Sequence, residues 1–383
     1  LAADSLDPLD RLRLVPQRAD LETQGLDHAD QAVILQHRLQ RLGRQHRAEH
    51  VDGERVRPML GDVGKRVEWT AIGDAFPLQL PQQARGRDAR QRGVREAVDS
   101  VRAQSNPHWE IIFWDNASQD ASRAIAQSYG DPRIRYCQGE QTVPLGAARN
   151  LAIAQARGEF IAFLDCDDRW LPEKLALQLD YFERHPEVDF VYGNYFRLLE
   201  GRCAGGPALK GAQPSGRVFA DFLKHYPVNL QTVMLRRSAL DTLDEMFNPS
   251  FEVSEEYDLF MRFLYGREAG YIDRPLVEYR IHAGMASVRR MDRYPVEYGL
   301  ILDNLRMLAP DFDSRYREEL RLAQAKLAYY QARSFMARVD RRAARAALRP
   351  ALATGGIYQA LYGATFLPYC CWRALMRLKL RFF

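Results

Sequence analysis

Three carboxylates crowd one short stretch of the chain: in "FLDCDDRW", residues 163–170, Asp165, Asp167 and Asp168 directly follow an apolar run. Two aspartates at i and i+2 beyond a strand end can converge, because the chain has left the pleat that sends alternate side chains to opposite faces. Their hard oxygen atoms suit magnesium or manganese, ions that keep positions open for substrate phosphates. The expected ligand is therefore phosphorylated and held through a divalent cation. A plainer reading is that an aspartate after a strand caps the next helix, and Asp168 has that option ahead of "RWLPEKL". A calcium loop starting at Asp165 is disfavoured, because its sixth position, which needs glycine, is Trp170.

The elements that must carry these acids read as a parallel sheet with crossover helices. "EIIFWD" is a strand ending at Asp115, and "ASQDASRAIAQSYGD" is a helix with Ser118 as its expected N-cap and Ile125 on its inner face. "RIRYCQ" is a strand, and "PLGAARNLAIAQARG" is a helix opened by Pro144 and followed by Gly158. "EFIAFLD" then supplies the strand ahead of the carboxylates, "LPEKLALQLDYFERHP" a helix and "VDFVYGNYFRL" a further strand. In open α/β sheets ligands bind beyond the carboxyl ends of the strands, so Asp115, Asp165 and Asp167 are expected to share one crevice. After about Pro295 the pattern is helical throughout.

Composition narrows the class. With 383 residues, 46% of them hydrophobic, the chain can bury a large core, and its net charge of +4 comes with no nucleic-acid-binding motif. Five cysteines without paired C-x-x-C spacing suggest reduced thiols in a cytoplasmic compartment. No basic-then-apolar leader opens the chain, and the longest apolar stretch, residues 357–372, is short for a span and is broken by Gln359, Gly363 and Pro368.

Four stretches in order, "REAVDSVRAQSNPHWEIIFWDNASQD", "PLGAARNLAIAQARGEFIAFLDCDDRWLPEKL", "VSEEYDLFMRFL" and "VEYRIHAGMAS", resemble the catalytic domain of glycosyltransferase family 2, across roughly Val94 to Ser287. The resemblance implies an α/β GT-A fold, a nucleotide-diphosphate sugar as donor, magnesium or manganese as cofactor, and a glycan or lipid-linked acceptor in bacterial surface polysaccharide or lipopolysaccharide synthesis. It implies that Asp115, with Asn116 beside it, contacts the nucleobase, and that Asp165 contacts the ribose or sugar. Asp167 would bind the metal, with Asp165 and His282 close to it, and Arg149 would lie by the same pocket. Inverting transfer needs a carboxylate to take the acceptor's proton. By position in "SEEYDLF" that base is expected to be Glu256, then Glu255, then Asp258, while an acidic first turn favoured by the helix dipole is the plainer account of at least one of them. Trp114, Trp170 and Tyr257 are expected to pack the core or to wall the acceptor site. A phosphatase of the haloacid dehalogenase type also sets D-x-D behind an apolar strand, but its motif continues into small residues where Arg169 and Trp170 stand here.

One departure from the family pattern is conspicuous. The family domain begins with an apolar strand just ahead of the helix "VREAVDSVRAQ", and "RDARQRG" stands there instead. The expected organisation is thus residues 1–92 as a segment foreign to the family, disordered or encoded in a shifted frame as Leu1 and the compositional break at Gly93 suggest, 93–290 as the GT-A domain, and 291–383 as a helical extension. An inactive relative that binds nucleotide-sugars through an incomplete donor pocket is the rival expectation. The tail "GIYQALYGATFLPYCCWRALMRLKLRFF" suits either a helix lying on an anionic membrane surface, at the inner face of the cytoplasmic membrane, or one packed on its own domain.

Overall fold

In a computed structural model the described residues are Val67–Gly73, 85–199, 202–282, 285, 289–367, 369 and 372. The expectations for residues 1–66 and for most of the tail beyond residue 367 lie outside them. The described residues, from Val67 onward, belong to one unit built on a nine-stranded sheet. Its first half consists of β1 (Val67–Gly73), α1 (Arg85–Arg102), β2 (Trp109–Asp115), α2 (Ser122–Ser128), β3 (Ile134–Gln138), α3 (Leu145–Gln155) and β4 (Phe160–Asp165). β5 (Arg169–Trp170), α4 (Lys174–Arg184), β6 (Val188–Leu199), β7 (Arg202–Cys203), α5 (Phe219–Lys224), β8 (Met234–Arg236), α6 (Arg237–Leu240), α7 (Glu255–Leu264) and β9 (Glu268–Ile281) follow.

The strand order is β3-β2-β1-β4-β8-β6-β9-β5, with β7 beside β6. β3, β2, β1 and β4 run parallel, and β8 turns antiparallel against β4. The expectation that the family's first strand is missing is corrected: "VEWTAIG" fills the central place, pairing with β2 along its whole length and with β4 over five residues. That pairing satisfies backbone groups on both neighbours which a missing strand would have left open. The described elements accordingly begin at Val67, and α1 runs unbroken through Gly93. Gly73 is in register with Asp115, and Ile72 with Asp165. The two aspartates thus end strands on either side of β1, about 10 Å apart by strand spacing. The chain leaves β1 toward β2 and β3 on one side and returns to β4 on the other, so this is the switch point at which open sheets bind ligands.

Alternation along the strands builds a core on each face. Ile112, Trp114, Ile161, Phe163, Phe190 and Tyr192 face one side, and Ile111, Phe113, Phe160, Ala162, Leu164 and Val191 the other. α1 closes the second face with Val94, Ala97, Val98 and Val101, the i, i+3, i+4, i+7 spacing of one helical stripe. α7 closes the first with Leu259, Phe260 and Phe263, each fully buried; such a side chain stabilises by about 1.5–3 kcal/mol. α2 begins three residues later than Ser118 as N-cap predicts, with Ala121 at that position, because the Asp115 side chain takes the Ser118 N–H and the Asp120 side chain takes that of Ser122.

α8 (Tyr294–Arg306), α9 (Phe312–Arg315), α10 (Arg317–Ala337), α11 (Arg341–Leu348) and α12 (Gly356–Ala364) form the helical extension. α8 packs onto the core of the first face through Tyr298, Ile301, Leu302 and Leu305. Trp114, Trp170 and Tyr257 are all buried, with Lys174 Nζ 4.3 Å from the Trp170 ring centre and the Tyr257 ring stacked on Tyr298 at 5.4 Å, so they pack the interior.

Candidate active site

The carboxylate turn is held from three directions. Asp168 N–H donates to the Asp165 carbonyl at 3.1 Å, which brings the chain round directly after β4. The Asp168 carboxylate, 1% exposed, accepts the Arg280 backbone N–H at 2.7 Å and ties the turn to β9. Asp168 is therefore no helix cap; Glu173 stands at the N-cap of α4, and its side chain makes no capping bond. Burial and then the charges of Asp167 and Asp165 push the Asp168 carboxyl well up. The Arg280 guanidinium donates to the Asp167 carbonyl at 2.7 Å and pairs with Glu96 on α1. Behind the turn, a Cβ on Gly93 would stand 2.8 Å from the Cys166 carbonyl oxygen, so the absence of a side chain lets α1 approach.

Asp165 has both oxygens engaged. Oδ2 accepts from Gln231 Nε2 at 2.6 Å, Gln231 Oε1 accepts the Asp165 N–H at 2.8 Å, and Oδ1 accepts from Arg149 at 3.3 Å. Arg149 is 2% exposed and also donates to Glu255 Oε1 at 2.6 Å, with the Phe247 ring 5.4 Å from its guanidinium carbon. Burial raises the Asp165 carboxyl above its ordinary range, against the pull of Arg149. Asp167 is more open: its Oδ2 lies 2.8 Å from His282 Nε2, and the two side chains are 44% and 48% exposed. The hydrogen bond with Asp167 raises the His282 imidazole.

One oxygen from each of Asp165, Asp167 and Asp168 lies within 4.8 Å of the others. This all-oxygen set with an imidazole at its open side fits magnesium or manganese. Asp167, the most open of the three and in contact with His282, would be the principal holder of such an ion, with Asp165 and Asp168 beside it.

At the other strand end Asp115, 1% exposed, accepts the Ser118 N–H on Oδ1 at 2.7 Å and the Tyr136 hydroxyl on Oδ2 at 2.6 Å. Ala117 in this turn takes a positive φ of 61°. Asn116 spends both ends of its amide on Val143, donating to the carbonyl at 2.8 Å and accepting the N–H at 3.0 Å; it ties two loops together.

The three acids in the first turn of α7 separate into different roles. Glu255 is buried against Arg149. Asp258, 1% exposed, accepts from the Arg262 guanidinium at 2.7 and 3.0 Å, and Arg262 in turn donates to the carbonyls of Glu245 and Met246. Asp258 thus fastens a loop. Glu256 is half-buried, and burial together with the Glu255 charge pushes its carboxyl up to about 8. The Tyr279 hydroxyl is raised by burial, by Asp168 and then by Glu256.

The fold therefore joins Arg149, Asp165 and Glu255 in one network and Asp167 with His282, and sets Asp115 two strands from Asp165. Gln231, Tyr136, Arg280 and Tyr279 escaped the sequence reading. Arg280 and Tyr279 lie inside "VEYRIHAGMAS", where the strand alternation next to His282 was the available signal; Gln231 and Tyr136 carry none.

Residues 89–209 match the family model described as glycosyl transferase family 2. The putative teichuronic acid biosynthesis glycosyltransferase TuaG of Bacillus subtilis is 30% identical over 192 residues, 49% of this chain and 73% of its own. An Escherichia coli relative, the UDP-Glc:alpha-D-GlcNAc-diphosphoundecaprenol beta-1,3-glucosyltransferase WfgD, is 30% identical over 171 residues, 45% of this chain; the match spans 64% of its length. Among solved structures, Staphylococcus aureus TarS in complex with UDP-GlcNAc aligns with a TM-score of 0.55 at 16% identity, covering 78% of this chain and 87% of that one. The mannosyltransferase PcManGT of Pyrobaculum calidifontis, in complex with GDP-Man and Mn2+, aligns at 0.51 and 16% identity, covering 80% and 82%. At such identities the likeness is one of fold, the α/β GT-A fold expected from the sequence.

Proposed function

Since this chain belongs to glycosyltransferase family 2, we propose that it moves a sugar, with inversion, from a nucleotide-diphosphate donor to a hydroxyl of a cell-surface glycan precursor. The observation that carries this reading is the buried bridge in which Arg149 joins Asp165 at 3.3 Å to Glu255 at 2.6 Å, linking the metal side of the site to the helix that presents Glu256. The relatives' printed activities, on a diphospholipid-linked sugar and in teichuronic acid synthesis, support the acceptor class.

Asp115, fixed by Tyr136 and Ser118, lies where a nucleobase would meet the end of β2. Asp165 is oriented by Gln231 and Arg149 toward the donor's ribose or sugar. A magnesium or manganese ion held principally by Asp167 would neutralise the departing diphosphate. Glu256 takes the acceptor's proton: Arg149 compensates Glu255, which leaves proton affinity concentrated on its half-buried neighbour. Asp258, bound by Arg262, is set aside from that role.

Among the described residues no helix is long and apolar enough to cross a membrane. Ile357, Phe366 and Leu367 are 46%, 60% and 50% exposed at α12 and just beyond it. We take this edge as a peripheral contact with the inner face of the cytoplasmic membrane; unchanged sedimentation with anionic liposomes after removal of residues 357–383 would end that idea. The transfer reading is tested by release of nucleoside diphosphate from a panel of UDP- and GDP-sugars with Mn2+, alongside Glu256→Gln and Asp167→Ala. Turnover lost in both variants supports it. Hydrolysis of simple phosphomonoesters in preference to every donor would replace it with a phosphatase.

A further inference from the structure

Beyond Glu256, the helical extension adds a hollow of its own. It holds about 210 Å3 and is lined by Met291, Tyr294, Tyr330 and Arg333, drawn from the approach to α8 and from α10. The Tyr294 and Tyr330 rings face each other at 5.5 Å with planes 36° apart. Arg333 follows Tyr330 by three residues on the same helical face and is the one charged side chain among the described residues of the lining. The volume is below the roughly 300–1,000 Å3 of pockets that take drug-sized ligands, and it suits a single sugar ring.

The hollow is bolted to the loop that presents the candidate base. Glu297, one turn into α8 from Tyr294, accepts the Glu252 N–H at 2.8 Å and the Val253 N–H at 3.0 Å. Arg290 and Arg293 both pair with the Glu252 side chain. Glu256 is three positions beyond Val253, so this clamp fixes Tyr294 relative to the base. The Tyr294 hydroxyl is raised by burial and then by the Glu256 charge, in keeping with that proximity. Aromatic faces present apolar area to the C–H faces of a sugar, and a guanidinium matches a phosphate with two parallel hydrogen bonds.

We propose that this hollow is the acceptor subsite and that it takes a phosphorylated sugar, its ring against Tyr294 and Tyr330 and its phosphate on Arg333. The proposal rests on the transfer reaction proposed above and names the acceptor for it. Arg333 is outside the carboxylate network, so its loss should leave donor binding intact.

The test uses the full chain and four forms: wild type, Arg333→Ala, Arg333→Lys and Tyr330→Ala. Glucose 1-phosphate, N-acetylglucosamine 1-phosphate, the two free sugars and inorganic phosphate are titrated by saturation-transfer NMR, and nucleoside diphosphate with Mn2+ is titrated separately by calorimetry. At least one sugar phosphate should bind wild type, with about a tenfold loss in Arg333→Ala, the share of one charge-assisted contact, and a smaller loss in Arg333→Lys. Tyr330→Ala should weaken the sugar phosphate and the free sugar alike, and nucleoside diphosphate affinity should stay within about twofold in every form. The proposal is overturned if neither sugar phosphate binds, if Arg333→Ala binds as wild type does, or if inorganic phosphate binds as tightly as the sugar phosphates. Should nucleoside diphosphates fail to bind wild type while the Arg333-dependent binding persists, the transfer reading falls and the sugar-phosphate site stands.

Discussion

Replacing Arg149 with methionine should expose how the interior of the site is held together. The guanidinium is 2% exposed, and it faces Glu255, 3% exposed, and Asp165, 25% exposed, so solvent screens the three charges little. Methionine matches much of the volume but leaves two acids facing each other without a cation. Breaking a buried pair from one side costs about 3–5 kcal/mol, chiefly the penalty of the charge left behind. The loss must also depend on pH. Burial already raises the Asp165 carboxyl and Arg149 opposes that, so without Arg149 it would hold its proton to still higher pH in the folded state than in the unfolded chain. A raised folded pKa means stability is retained in acid and lost as pH rises through it, so the deficit should be largest at pH 8 and should shrink toward pH 5. Removing Glu255 together with the arginine, as Arg149→Met with Glu255→Leu, replaces most of the pair by apolar volume and should restore the greater part of the loss. Urea unfolding of wild type, both single variants and the double variant at pH 5, 6.5 and 8 gives the cycle. A deficit under about 1 kcal/mol at pH 8, or additive effects in the double variant, would refute the argument that this network is a compensated buried charge cluster.

Other consequences follow from individual contacts. Because Glu256 is pushed up to about 8, kcat/KM for donor transfer should fall as pH drops below that value, the base being protonated there; Glu256→Gln should lower kcat by about 10²–10⁴ and flatten the profile, and a wild-type profile level from pH 6 to 9 would count against Glu256 as base. Gly93→Ala puts a methyl group 2.8 Å from a backbone carbonyl, so either α1 or the carboxylate turn must move. We expect about 1–3 kcal/mol of destabilisation by thermal melting and weaker Mn2+ binding; wild-type Mn2+ affinity would show that the helix does not set the turn. Gln231→Leu orphans the Asp165 N–H and one carboxylate oxygen. The donor KM should rise more than kcat falls, with about 1–3 kcal/mol lost per unpaired buried group in denaturant titrations, and an unchanged donor KM would contradict its place as the positioner of Asp165.

The parts legible in the sequence are those with local signatures. β2, β4 and the helices between them declare themselves by apolar runs of strand length alternating with helices opened by Pro144 and followed by Gly158. β1 does not, because "VEWTAIG" interleaves Glu68 and Thr70 with apolar residues, whereas the strands of parallel sheets usually read as near-continuous apolar runs. It also stands well ahead of the segment where the family pattern places it. The carboxylates were legible for the same local reason, yet their partners come from far along the chain: Gln231 lies 66 positions from Asp165, and Glu255 lies 106 from Arg149. Single polar residues that meet only in the fold leave no periodicity to read. Likewise Glu255, Glu256 and Asp258 look alike as acids at a helix N-terminus. Only the cations that reach them, Arg149 for the first and Arg262 for the last, tell their roles apart.

The central claim is that the ends of β2 and β4, flanking β1, create one site for a divalent ion and a nucleoside diphosphate. Calorimetric titration of UDP and GDP, with and without Mn2+, into wild type, Asp115→Ala and Asp167→Ala addresses it directly. The account predicts that Mn2+ strengthens binding of at least one nucleotide to wild type, that Asp167→Ala abolishes this enhancement, and that Asp115→Ala weakens the nucleotide while Mn2+ still enhances what binding remains. Nucleotide binding indifferent to Mn2+ in wild type, or an undiminished Mn2+ effect in Asp167→Ala, would contradict it.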